Sequence, residues 1–328
     1  MGQEQEAVRL LDQGIRALQE ENFEKAKSSF EEAVALDDNL AAAHSNLGLL
    51  ALGQNDTEKA RSYFQKAVEK DPREFSAFNN LAALEQAANR EREAEQLYLK
   101  SIQLNNEGTE AYYNLGLLYM KQEKMVAAKS AFEKVTQLDP DHFDAFYMLG
   151  NVYASLQDYY AAIANFQYLV FHKPEILEGH VALAEMYRRQ GKYPLAIHEL
   201  RTAIRANPDD PDLIQHMGLI FMETANGEMA LGAFEKVVEL DPERAEAFEV
   251  LAILYDVAGF DEAALEACEM ALKLDPENER TQEVYEDLKA KQAAEDKPRE
   301  TLTPLQVNTQ VNTQVQSPET EAKEDNHD

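Results

Sequence analysis

A single cysteine stands in 328 residues. Cys268 has no second thiol with which to close an intramolecular disulfide, and alone it cannot build a cysteine-based zinc site. Cations are also scarce: 31 Lys and Arg face 61 Asp and Glu, a formal charge of −30. So acidic a chain repels phosphate backbones and anionic headgroups unless its cations are gathered in a patch, and the sequence contains none. Nucleic acid is therefore not an expected partner. No apolar run approaches the roughly 18 residues that span a bilayer, which argues against membrane insertion. The opening Met1-Gly2-Gln3-Glu4-Gln5-Glu6 has neither the basic region nor the apolar core of a secretory leader. Glu6 also stands where a myristoylation signal has Ser or Thr. Together these absences predict a cytoplasmic protein.

The usual signatures of catalysis are missing as well. His44, His142, His172, His180, His198, His216 and His327 are scattered, with no His-Glu-x-x-His spacing, and neither a Gly-rich phosphate loop nor a nucleophile elbow occurs. Asp212 and His216 share one helix face at i, i+4, a pair too small to define a metal site. The expectation is a non-enzymatic chain with no cofactor and no metal.

What the sequence does contain is a period. Pro140, Pro174, Pro208, Pro242 and Pro276 are spaced 34 residues apart, and Pro72 lies on the same lattice. Placing them at position 32 divides the chain without insertion into eight units: 7–40, 41–74, 75–108, 109–142, 143–176, 177–210, 211–244 and 245–278. Position 20 is alanine in every unit, from Ala26 to Ala264. Position 8 is always Gly or Ala, and position 24 is a ring except at Leu200 and Cys268. Apolar residues recur at 4, 7, 8 and 11 and again at 20, 24 and 27, the spacing of two amphipathic helices per unit. Asn55, Asn89, Gly191 and Gly259 mark a break between them at position 15. Such hairpins bury their apolar faces against neighbours, so the expected fold is all-α, a solenoid. Residues 1–6 read as a lead-in and 279–296 as a polar capping helix. From 297 to 328 an acidic, low-complexity tail lacks the apolar residues to offset its ordering entropy and is expected to be disordered. Its Thr303-Pro304 and Ser317-Pro318 could accept phosphate. The tail contributes only −3, so most of the negative charge belongs to the repeats.

The small residue at 8, tyrosine at 11, alanine at 20, ring at 24 and proline at 32 resemble the tetratricopeptide repeat family. The resemblance covers eight contiguous units and implies a right-handed superhelix. Tryptophan, common at position 4 in that family, is replaced here by Leu10, His44, Phe78, Tyr112, Phe146, His180, Ile214 and Phe248. The family places first helices along a concave groove, with positions 2, 5, 6, 9, 12 and 13 pointing into it. Position 6 then presents Asn46, Asn80 and Asn114 in succession, with Asn79 at position 5. Amides both donate and accept, so such a row could hold the backbone of an extended peptide. It is similar to the asparagine ladder of the O-GlcNAc transferase superhelix, although asparagine is frequent at this position across the family.

Position 2 carries five consecutive acids, Glu110, Asp144, Glu178, Asp212 and Glu246. They could form a track for a basic ligand, or complement the helix macrodipole with no partner at all. Tyr113, Leu117, Tyr147 and Met148 supply apolar groove contacts, open both to recognition and to packing between repeats. Positions 2, 5 and 6 contain no Lys or Arg, which argues against the carboxylate clamp of the family's chaperone-binding members. The leading expectation is a scaffold or adaptor for a neutral-to-basic protein segment. Two alternatives are a recognition subunit for a separately encoded transferase or other enzyme, and a scaffold that self-assembles by homo-oligomerisation.

Overall fold

The computed structural model describes residues 2–295, which form seventeen helices and no strand among them. The helices pair in chain order. α1 (Gly2–Gln19) pairs with α2 (Phe23–Leu36), α3 (Ala41–Gly53) with α4 (Thr57–Lys70), and α5 (Phe75–Ala87) with α6 (Glu91–Leu104). α7 (Thr109–Lys121) pairs with α8 (Met125–Leu138), α9 (Phe143–Ser155) with α10 (Tyr159–His172), and α11 (Leu177–Arg189) with α12 (Tyr193–Ala206). α13 (Pro211–Glu223) and α14 (Gly227–Leu240), then α15 (Ala245–Ala258) and α16 (Asp261–Leu274), complete the series. Each second helix also packs on the first helix that follows it, and α17 (Glu279–Glu295) closes the stack against α16. The arrangement is an α-solenoid.

α1 begins at Gly2, so residues 2–6 of the expected lead-in are helical, with Glu6 bridging Arg9. The expected disordered tail, with Thr303-Pro304 and Ser317-Pro318, lies outside the described residues.

The core follows from the repeat columns. The alanine at position 20 is fully buried in all eight units, and so are Phe30, Phe64, Phe132 and Phe166 at position 24. Burying one such ring contributes about 1.5–3 kcal/mol. His44 and His180 are buried at position 4, each within hydrogen-bond distance of a backbone carbonyl, of Asp38 at 3.1 Å and Pro174 at 3.3 Å. They are structural residues.

All eight hairpins turn through a left-handed residue at position 15. Besides the expected Asn55, Asn89, Gly191 and Gly259, the set includes Glu21, Glu123, Gln157 and Ala225. In each unit the position-16 amide donates to the position-11 carbonyl, as Asn226 does to Phe221 at 2.9 Å. This is the Schellman closure, and the neighbouring helices impose it even where the residue type disfavours it.

Candidate functional site

A cleft of about 570 Å³ opens along α9, α11 and α13. Tyr147, Leu177, Val181 and Leu213 form apolar walls, while Asn151, Asn207, Glu178, Asp212 and His216 bring polar groups to its surface. Nearly all of them stand at positions 1, 2, 5, 6 and 9, one side of consecutive first helices. The cleft therefore unites three residues singled out from the sequence, Tyr147, Glu178 and Asp212. It also adds several that were not. Leu177 stands at position 1, the column of Ala41 and Thr109, and Leu213 at position 3, the column of Ala43 and Ala111, and neither column gives a hint of a binding role.

The acid column is exposed along its whole length: Glu110, Asp144, Glu178, Asp212 and Glu246. None of these carboxylates accepts a bond from a helix-terminal amide. The cap at α13 is Asp210, which accepts from the amides of Asp212 at 2.9 Å and Leu213 at 3.4 Å. Asp212 alone among the five meets a cation, Nη1 of Arg244 at 2.6 Å. The other four have no ion-pair partner among the described residues.

At the cleft floor Glu185 accepts from Nε of both Arg188 (2.6 Å) and Arg189 (2.7 Å). Burial pushes its carboxyl up, but the two guanidinium groups outweigh burial and hold it below the usual range. Arg188 and Arg189 are thus committed to an internal pair, with Arg188 also reaching Glu223. The cleft keeps a net acidic lining.

The asparagine row divides. Asn46 donates its amide to the Ala42 carbonyl of its own helix at 2.8 Å. Asn79 is buried, and its Oδ1 accepts from Asn114 Nδ2 at 3.3 Å, linking α5 to α7. Asn80 is half-buried and has no hydrogen-bond partner among the described residues. The structure thus brings Asn79 and Asn114 into contact and leaves Asn46 and Asn80 separate. The apolar residues also contribute to packing. Tyr113 meets Phe132 edge-on at 5.6 Å and lies 4.7 Å from His142, and Tyr147 lies 5.9 Å from Phe166. Leu117 and Met148 pack on the cluster of Phe132, Leu149 and Val152. All four stay partly exposed. Burial, then the nearby Asp144 carboxylate, raises the Tyr113 hydroxyl above its ordinary range.

Among the described residues no helix is long and apolar enough to cross a membrane, and no group of three potential metal ligands converges.

A family model described as "Tetratricopeptide repeat" matches residues 11–75, 45–109, 147–211 and 217–279, and a second of the same description matches 109–142. No curated protein matches the chain. Among solved structures, pilF of Pseudomonas aeruginosa superposes with a TM-score of 0.57 at 21% identity, over 69% of this chain and 99% of that one. Yeast Tom70 superposes with a TM-score of 0.50 at 20% identity, over 89% of this chain and 66% of that one. These likenesses are of fold.

Proposed function

Because the chain belongs to the tetratricopeptide repeat family, we propose that it is a non-enzymatic adaptor whose groove holds an extended, neutral-to-basic segment of a partner protein and so assists complex assembly. The observation that carries this reading is the cleft along α9, α11 and α13. There the exposed Glu178 and Asp212 stand beside walls of Tyr147, Leu177, Val181 and Leu213. Apolar walls with a few placed polar groups suit one anchoring side chain, and carboxylates beside them select a neighbouring Lys or Arg. Glu110, Asp144 and Glu246 extend the same charge along the stack. Asn80 and Asn114 serve the peptide backbone, with Asn46 able to accept through the oxygen its own helix does not use.

The test is fluorescence anisotropy with two synthetic peptides of equal length, one alternating Lys with Leu and the other Glu with Leu. The basic peptide is expected to bind, and Glu178→Gln with Asp212→Asn to weaken it about tenfold. A control variant, Glu262→Gln with Glu266→Gln on α16, removes the same charge outside the groove and should leave binding intact. Equal weakening by both variants would reduce the effect to net charge and sink the track. Separately, Asn80→Ala with Asn114→Ala should weaken basic and neutral peptides alike; unchanged affinity would remove the ladder from the mechanism.

A further inference from the structure

In a chain whose formal charge is −30, residues 301–318 carry no Asp, Glu, Lys or Arg. It is the longest such run; the next, 39–55, is mostly committed to α3 (Ala41–Gly53). Lys297 and Arg299 precede it, and Leu302, Leu305, Val307, Val311 and Val315 place apolar side chains along it. That composition is what the groove reading asks of a ligand: neutral to basic, with separated apolar anchors. Glu178, exposed and without an ion-pair partner among the described residues, meets no like charge from such a segment. The run follows directly on the described residues, which end at Glu295, the last residue of α17.

α17 continues the row of first helices: Glu279 stands where position 1 of a ninth unit falls, and α17 packs on α16 as each first helix packs on the second helix before it. From its end a segment bound for the cleft crosses two helix spacings to α13 and three to α11, at about 10 Å each. It also descends about 18 Å, from the C-terminal end of a first helix to the half that lines the cleft. The direct paths are then about 27 Å to α13 and about 35 Å to α11. At 3.3–3.6 Å per residue, Leu302 reaches at most about 25 Å from Glu295, Leu305 about 35 Å and Val307 about 42 Å. Leu305 and Val307 are thus the first apolar residues able to enter. A tethered segment acts at an effective concentration of about 1 mM, so an intrinsic Kd of about 0.1 mM would keep it bound about nine-tenths of the time. We infer that residues 302–311 of this chain occupy the cleft along α9, α11 and α13 in cis, with Leu305 and Val307 against Leu177, Val181 and Leu213. A partner segment must displace them. The inference rests on the groove reading above and makes the chain's own tail the first occupant of that groove.

Fluorescence anisotropy of the full chain with the Lys–Leu peptide tests displacement. Leu305→Ser with Val307→Ser leaves every charge in place and should tighten the peptide by about tenfold or more, the competition that the tether sets. An affinity equal to or below that of the wild type overturns the inference and leaves the groove reading standing. Binding by neither chain removes the groove reading and this inference with it. p-Benzoylphenylalanine in place of Leu305 locates the segment. Irradiation should cross-link position 305 to α11 or α13 within a single chain, and excess Lys–Leu peptide should suppress the product. A cross-link that joins two chains, one that falls only on second helices, one that the peptide does not suppress, or none at all overturns the inference.

Discussion

Gly150 lies beneath the ring of Phe166: a Cβ built on it would stand 2.5 Å from Cε1 and 2.7 Å from Cζ. The same relationship joins Gly14 to Phe30, Gly48 to Phe64, Gly116 to Phe132 and Gly218 to Phe234. In the three units with alanine at position 8, namely Ala82, Ala184 and Ala252, position 24 is Tyr98, Leu200 or Cys268 instead. Where position 24 is phenylalanine, its ring occupies the volume that a methyl group at 8 would need; the exception is Tyr98, whose buried ring packs in one cluster with Ala82 and whose hydroxyl donates to Gln86 Oε1 at 2.9 Å.

Gly150→Ala is therefore expected to destabilise the chain by about 1–3 kcal/mol, the usual range for overpacking a closed core. Adding Phe166→Leu, the residue that Leu200 provides beside Ala184, should make the double variant less destabilised than the sum of the singles by at least about 0.5 kcal/mol. Urea unfolding followed by circular dichroism measures both. Strict additivity would show that the contact does not couple the two residues.

Ala225 sits at φ 54°, a conformation that a residue with a Cβ adopts at a cost of about 1–2 kcal/mol. Ala225→Gly relieves that cost and should raise stability by about 1 kcal/mol after glycine's greater unfolded freedom is counted. Gly191→Ala, at φ 69°, should lower it by a similar amount. Opposite shifts in urea midpoint are the expected pair, and two shifts of the same sign would contradict the turn geometry.

Tyr119, Tyr153 and Tyr255, all at position 11, donate to Glu95, Glu133 and Glu235 of preceding second helices at 3.1, 2.5 and 2.9 Å. Burial first, and then those carboxylates, push each hydroxyl from 10 up to about 12. A folded pKa raised above the unfolded one means stability is intact below pH 10. It is lost progressively as pH rises toward 12, where the unfolded chain already carries phenolates. With no tryptophan to obscure them, the 14 tyrosines can be followed by phenolate absorbance. A late-titrating fraction should merge with the rest in urea. Tyr153→Phe should reduce that fraction, and a single transition in the native protein would refute the assignment.

Cys268 is fully buried, and burial, reinforced by Asp256 and Glu249, raises its thiol to about 11. The thiolate is the reactive species, so a thiol reagent at neutral pH should label it only as fast as the last repeat opens. Labelling at the rate of a free thiol peptide would place Cys268 outside the core.

The period, the paired helices and the core columns were legible in the sequence because each unit solves the same local packing problem, and repetition makes its solution visible as columns. Polar groove residues carry no comparable signal. Asn46, Asn80 and Asn114 read as one ladder, yet one amide bonds its own helix and another bonds Asn79, choices set by which neighbour lies within about 3 Å. Likewise, four left-handed turns at Glu21, Glu123, Gln157 and Ala225 have no residue-type signature, since helices already packed on both sides dictate them. The sequence by itself determined an acidic helical solenoid of eight units. Only the tertiary structure decided which acids stay unpaired and that Phe171 is exposed, because pairing and exposure depend on distances between units that no single unit encodes.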